Sequence, residues 1–216
     1  AASSVSARRM LCRTSRIVTV PPRVACSQRL WASSEAAVVT CAAVTDGSVW
    51  CWGNNGSGQL GDGTRESRPT PVQVTGLMNV TQLSLGSAHS CARLMDGTVR
   101  CWGGNGTGEL GDGTTNERLT PVSVQGLSAV AEISAGGQHT CARLMDGTLR
   151  CWGSNVFGQI GNGATDVRQL NPVAVSGLRD VIHLSAGSQH TCATSMDGAA
   201  RCWGDNQHGE IGDGTT

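Results

Sequence analysis

The chain has 216 residues and no net charge, with 30 glycines, six Trp, one Phe and no Tyr. That length holds one sizeable core or two small ones, and Gly-rich turns between regularly placed apolar residues exclude a low-complexity coil and point to an all-β protein. No apolar run approaches the roughly 18 residues that a membrane-spanning helix needs, so no such span is expected.

Residues 1–35 hold six Arg (8, 9, 13, 16, 23 and 29) against one acid, Glu35, for a net +5. This Arg- and Ser-rich, acid-poor composition is that of a transit peptide, but the preferred reading is a head without fixed structure, or one that is wrongly bounded. A secretory signal needs a longer apolar stretch than Ile17-Val18-Thr19-Val20. Residues 36–216 carry ten Arg and fifteen acids, net −5. That balance does not suit a phosphate backbone, so no nucleic-acid partner is expected. Every basic residue is Arg, for which no physical reason is evident.

From residue 36 the chain repeats. Cys-Trp-Gly stands at 51–53, 101–103, 151–153 and 202–204, and ten residues before each of those Cys stands Cys41, Cys91, Cys141 or Cys192. Asp-Gly lies between the members of every pair, at 46–47, 96–97, 146–147 and 197–198. After Cys-Trp-Gly come an Asn, then Gly-Gln/Glu-Leu/Ile-Gly-Asp/Asn-Gly, and in three copies Pro-Val-x-Val at 71–74, 121–124 and 172–175. Four repeats follow, at about 36–82, 83–132, 133–183 and 184–216, the last lacking its Pro-Val-x-Val.

Within the second copy, Val80–Leu85 is a β-prone run, His89–Met95 enters the Asp96-Gly97 turn and Thr98–Trp102 leaves it, a hairpin signature. Pro121–Val124 reads as a fourth strand with Pro at its start, where a missing N–H is tolerated. Four short strands per repeat of about 50 residues is the arithmetic of a β-propeller blade.

His-Thr-Cys-Ala, Asp-Gly-Thr-Leu-Arg-Cys-Trp-Gly and Asn-x-x-Gly-Gln-Ile-Gly resemble the repeat of the regulator of chromosome condensation family, over residues 36–216. The match is weaker at the start of copy one, where Val39 replaces the His of positions 89, 139 and 190. The resemblance implies a propeller, usually closed by seven blades. Four hairpins lead us to expect an incomplete, open propeller whose bare blade faces favour self-association.

The cysteine pairs turn on register. A three-residue loop, Met95-Asp96-Gly97, with Gly97 left-handed, puts Cys91 opposite Cys101 within reach of a disulfide. A two-residue Asp-Gly loop would put the sulfurs on opposite faces of the sheet. Cys41–Cys51, Cys91–Cys101, Cys141–Cys151 and Cys192–Cys202 are therefore disulfide candidates, which fits an oxidising compartment. Buried thiols acting as small apolar residues, or zinc ligands sharing a strand face with a His, are the other readings. Cys12 and Cys26 fall in the head.

His89, His139 and His190 recur once per repeat, as an active site would not require; the expectation is a structural His bonded to nearby backbone. Trp52, Trp102, Trp152 and Trp203 are expected to pack between sheets, with a stacking platform for ligands as the alternative. Loops such as Leu110–Thr114 carry one Asp among glycines, too few oxygen ligands for calcium, and read as turns. No nucleophile elbow, phosphate loop or His-Glu-x-x-His occurs, so catalytic, metal and cofactor residues are expected to be none. The expected function is a non-catalytic scaffold, bacterial and secreted or on the cell surface, that binds a protein partner. Binding would use the stretches that differ between copies, 64–69, 114–119 and 164–170, and the residues inside the Asn-x-x-Gly turns. The alternatives are a guanine-nucleotide exchange factor for a small GTPase, implied by the resemblance and at home in the cytoplasm, and an enzyme inhibitor.

Overall fold

A computed structural model describes residues 39–44, 47–164 and 166–216. The head, residues 1–35, with Cys12, Cys26 and its targeting reading, lies outside the described residues. Blade one comprises β1 (Val39–Ala43), β2 (Val49–Gly53) and β3 (Arg68–Gln73). Blade two comprises β4 (Val80–Leu85), β5 (His89–Leu94), β6 (Val99–Gly103) and β7 (Arg118–Ser123). Blade three comprises β8 (Val130–Ala135), β9 (His139–Leu144), β10 (Leu149–Ser154) and β11 (Arg168–Ala174). Blade four comprises β12 (Val181–Ala186), β13 (His190–Ser195) and β14 (Ala200–Gly204). Every sheet is antiparallel in chain order, no sheet closes on another, and no helix occurs among the described residues. The inner strands β4, β8 and β12 lie against one another in turn, and the blades form an open propeller.

The hairpins take the three-residue loop. Leu94 N–H donates to the Thr98 carbonyl at 2.9 Å, and Gly97 N–H donates to the Leu94 carbonyl at 3.0 Å with Gly97 at φ +77°. Asp96 fixes the tip, its Oδ1 accepting from the Thr98 N–H and hydroxyl. Counting outward, Cys91 faces Cys101, and the other three pairs face each other likewise. Their Cα atoms are 4.1 Å apart and the sulfurs are bonded, at 2.10, 2.14, 2.06 and 2.07 Å in chain order.

Two details depart from the sequence reading. Prolines do not begin the fourth strands: β3 and β7 start at Arg68 and Arg118, so Pro71 and Pro121 sit inside them. They are accommodated because these strands are the sheet edges and the ladder is bulged there, the register shifting between Cys101 and Gly103. The repeat boundaries at 82/83, 132/133 and 183/184 cut through β4, β8 and β12. The sheets change earlier, in the connectors 74–79, 124–129 and 175–180, because each inner strand pairs with the hairpin that follows it.

The core lies between blades. One cluster joins Val49, Cys51, Leu60 and Val74 of blade one to Leu83, Leu85, Ala92 and Trp102 of blade two. A second joins Leu110 and Val124 to Ile133, Ala142 and Trp152, and a third sets Ile160 and Val175 against Leu184 and Trp203. Trp102 and Trp152 are wholly buried; at about 25 cal/mol per Å², burying an indole of roughly 200 Å² contributes about 5 kcal/mol before chain entropy is subtracted.

Candidate functional site

Antiparallel order puts two kinds of loop on each side of the arc. On one side lie the turns at 86–88, 136–138 and 187–189 together with the long loops at 54–67, 104–117 and 155–167. The Asp-Gly tips and the connectors occupy the other side.

Each long loop is organised by one Asn that the sequence reading had left without a role. In blade two the buried Asn105 accepts from Leu110 N–H at 3.0 Å through Oδ1. Its Nδ2 lies at 3.0 Å from the Thr114 and Asn116 carbonyls and 3.2 Å from Asp112 Oδ1. Asn55, Asn155 and Asn206 occupy the same place in their own loops. Recurrence of Asn in all four copies was the available signal. Asp112 then receives Thr114 and Arg118, the latter at 2.8 Å. Burial acts to raise the Asp112 pKa, but the Thr114 and Arg118 hydrogen bonds outweigh it and the carboxyl lies below its usual range.

Blade three departs from this frame. Asn162 and Ala164 replace the Asp and Thr, so the carboxylate with its paired Arg is missing, and Arg168 reaches the Gly106 carbonyl of blade two instead. The same loop exposes apolar side chains. Val156 is 62% and Val167 67% exposed, and the half-buried Phe157 lies next to Val156. Asn155 N–H donates to the Val167 carbonyl at 2.9 Å, which draws the two ends of the loop together. The other copies have Gly56-Ser57, Gly106-Thr107 and Gln207-His208 in that turn. Of the expected variable stretches, 64–69 and 114–119 are tied to each other by an Arg65–Glu117 ion pair, and 164–170 (Thr165 lying outside the described residues) contributes Val167 to the apolar patch, whose Val156 and Phe157 lie inside the Asn155-x-x-Gly158 turn.

The recurrent His and Trp serve the contacts between blades. Trp102, Trp152 and Trp203 donate Nε1–H to the carbonyls of Gln59, Glu109 and Gln159 in the preceding blade at 2.8–2.9 Å. The hydroxyls of Ser90, Thr140 and Thr191 donate to the same three carbonyls. Because the Thr140 hydroxyl spends its hydrogen there, its contact with His89 Nε2 at 2.9 Å must be accepted from a protonated Nε2; His139 and Thr191 repeat it. The His partner is thus a hydroxyl of the next blade rather than backbone. Burial drives the His89 pKa down to about 4, against a smaller opposing effect of Glu109. Burial, then the neighbouring His89 and His190, drive that of His139 down to about 3. Both rings are neutral at pH 7, and His139 Nδ1 is a buried acceptor with no partner.

Glycine makes room for each ring: a Cβ on Gly86, Gly136 or Gly187 would stand 2.2–2.4 Å from its nearest neighbour, with a His Cε1 at 2.2–2.4 Å in all three. Among the described residues, no three His, Cys, Asp or Glu converge where a metal ion could be held. Trp52 and His190 lie at the two ends of the arc, half-buried.

A family model of the regulator of chromosome condensation (RCC1) repeat matches residues 46–93, 96–143 and 146–194, and a second model of the same repeat matches 80–109, 130–159 and 181–210. The chain belongs to this family. Its RCC1 repeats are 42% identical over 53 residues to the human E3 ubiquitin-protein ligase HERC2, a stretch covering 24% of the chain and 1% of HERC2. The fold is similar to yeast RCC1 (Prp20) in its complex with Kap60, with a TM-score of 0.70 and 22% identity over 82% of this chain and 46% of that one. It is likewise similar to Prp20p of Saccharomyces cerevisiae, studied for its binding to Gsp1p and histones, with a TM-score of 0.69 and 27% identity over 80% and 43% of the two chains. The RCC1 repeats here thus span less than half the length of those structures.

Proposed function

We propose that this chain is a non-catalytic recognition scaffold, secreted or displayed at a cell surface, which takes a protein partner on the face carrying the long loops. The observation that carries this reading is the blade-three loop, where Val156 and Val167 stand exposed beside the half-buried Phe157, at positions that are glycine or polar in the other copies. Exposed apolar side chains rimmed by polar ones are what a protein interface buries at its centre. The four bonded cysteine pairs support an oxidising location. Immobilised wild-type protein and a Val156→Asp/Val167→Asp variant, presented with the secreted proteins of the source organism, test it. A partner retained by wild type and lost by the folded variant is expected; equal retention by both defeats the assignment of the loop.

The likeness to Prp20p, whose binding to Gsp1p was studied, favours a second reading as an exchange factor for a small GTPase. Accelerated release of bound guanine nucleotide from such a GTPase would replace the first reading with the second.

A further inference from the structure

Asn-Gly occurs three times in the chain, at 55–56, 105–106 and 162–163. In this dipeptide the backbone nitrogen after the Asn can attack the side-chain amide, because glycine carries no side chain to stand in the way. The structure sets the three pairs apart. Asn55 and Asn105 organise their loops and are wholly buried, with Oδ1 accepting from a Leu N–H and Nδ2 spread over backbone carbonyls and side-chain oxygens. Neither amide can turn toward the next nitrogen without giving up several hydrogen bonds at once. Asn162 is only half-buried. Its Oδ1 accepts from the Ala164 N–H at 3.1 Å and from Asn155 Nδ2 at 3.4 Å, and its Nδ2 has no hydrogen-bond partner among the described residues. Gly163 is exposed, at φ +78°, and a Cβ built there would meet Ser176 Oγ at 3.8 Å and nothing nearer.

This setting belongs to the loop itself. Asp62 and Asp112 stand where Asn162 does, and the side chains that hold them all lie in their own blades. Gly63 and Gly113 are as exposed as Gly163. Blade three lacks both of the groups that pin the carboxylate elsewhere. Ala164 replaces the Thr, and the strand residue across from Gly153 is Gln169, where Arg68 and Arg118 face Gly53 and Gly103. Two N–H groups on one oxygen are all that hold the Asn162 amide.

We propose that Asn162 is a site of spontaneous deamidation, and that its isoaspartyl product loosens the loop that presents Val156 and Val167. The Gly163 nitrogen gives its proton to hydroxide and bonds to Asn162 Cγ. The Cγ–Nδ2 bond breaks, and the amide nitrogen takes a proton from water and leaves as ammonia, which gives a cyclic succinimide. Water then opens the ring at one of its two carbonyls. Opening at Cγ gives aspartate; opening at the α-carbonyl gives isoaspartate, with Gly163 joined through Cγ. The net change is water in, ammonia out and one negative charge gained. Aspartate keeps an Oδ1 for the Ala164 and Asn155 donors, as Asp112 does for Thr114 and Asn105. Isoaspartate adds a carbon to the main chain and displaces the Ala164 carbonyl, which Asn155 Nδ2 holds at 3.1 Å. Asn155 is also the residue whose N–H draws in the Val167 carbonyl. The inference does not rest on the recognition reading.

Incubation of the folded 216-residue chain at mildly alkaline pH, followed by peptide mapping with mass spectrometry, tests it. Asn162 is expected to convert more than roughly tenfold faster than Asn55 or Asn105, since each hydrogen bond that must open first slows the reaction by about that factor. In the reduced and denatured chain the three pairs are expected to convert at similar rates, which assigns the difference to the fold. Mildly acidic pH is expected to slow the conversion, because the attacking nitrogen must lose its proton. Enzymatic methylation of isoaspartate identifies that product. Hydrogen exchange then reads the loop: the Asn155 amide is expected to exchange faster in aged protein than in fresh. Asn162→Asp carries the aspartate product alone and is expected to exchange like fresh wild type, and Asn162→Ser, aged in parallel, is expected not to change. Folded protein in which Asn162 converts no faster than Asn55 and Asn105, or isoaspartate-bearing protein whose Asn155 amide exchanges as slowly as before, would overturn the proposal.

Discussion

Acid should weaken this protein in a pH range where few carboxylates titrate, and the two buried imidazoles set the size of the effect. His89 and His139 have folded pKa values of about 4 and about 3, against an ordinary value of 6.5. The folded state disfavours their protonated form, so the unfolded chain binds more protons between those values. Stability is therefore full above about pH 6.5 and falls as pH drops through 6.5 towards 4 and then 3. At about pH 5 each ring costs about 2 kcal/mol relative to pH 7.5, and the pair about 4 kcal/mol, a large part of a typical total of about 5–15 kcal/mol. The hydrogen-bonded aspartates 62, 96, 112, 146 and 213 have lowered values and lose their contribution only at lower pH. Guanidinium midpoints followed by Trp fluorescence at about pH 7.5 and pH 5 should differ accordingly. In His89→Gln the amide can still donate to Thr140 but does not titrate, so about half the difference should vanish. Equal midpoints at the two pH values in wild type would show that the rings are not held neutral and dry as described.

Two further outcomes follow from the packing. Gly136→Ala puts a methyl 2.4 Å from both the Gly187 carbonyl and the His139 ring, and should cost several kcal/mol in thermal or chemical unfolding; Gly126→Ala meets nothing within 4 Å and should cost only the left-handed backbone penalty of about 1–2 kcal/mol. Native protein should show none of its eight repeat cysteines to a thiol reagent, and reduction should destabilise each blade by about 2–3 kcal/mol; eight reactive thiols before reduction would refute the pairing.

The local parts of this fold were legible in the sequence, because the signals were local. The Asp-Gly tips and the register that sets Cys91 against Cys101 follow from residues within about ten positions of one another. The lock between blades was not legible, because its partners stand far apart: His89 meets Thr140, and Trp102 meets the Gln59 carbonyl. A recurrent His announces a role but not its acceptor. The Asn of each long loop recurs as faithfully, yet a polar residue beside glycines reads as a turn until its four-way bonding is seen. The prolines misled for the opposite reason. A rule that keeps Pro out of sheet interiors also permits it along an edge, and only the strand order tells which case holds.

The four disulfides among the described residues all close short loops within a hairpin, and none of them joins one blade to the next. Under a pulling force, then, each blade carries a stretch between its cysteines that cannot pay out, while the locks between blades are held only by hydrogen bonds and packing. Tension applied to the ends would peel blades apart one at a time along the arc, each leaving as a stapled bead. The covalent bonds shorten the extension that each bead can yield and leave the force that separates beads to the Trp, Thr and His of the interfaces.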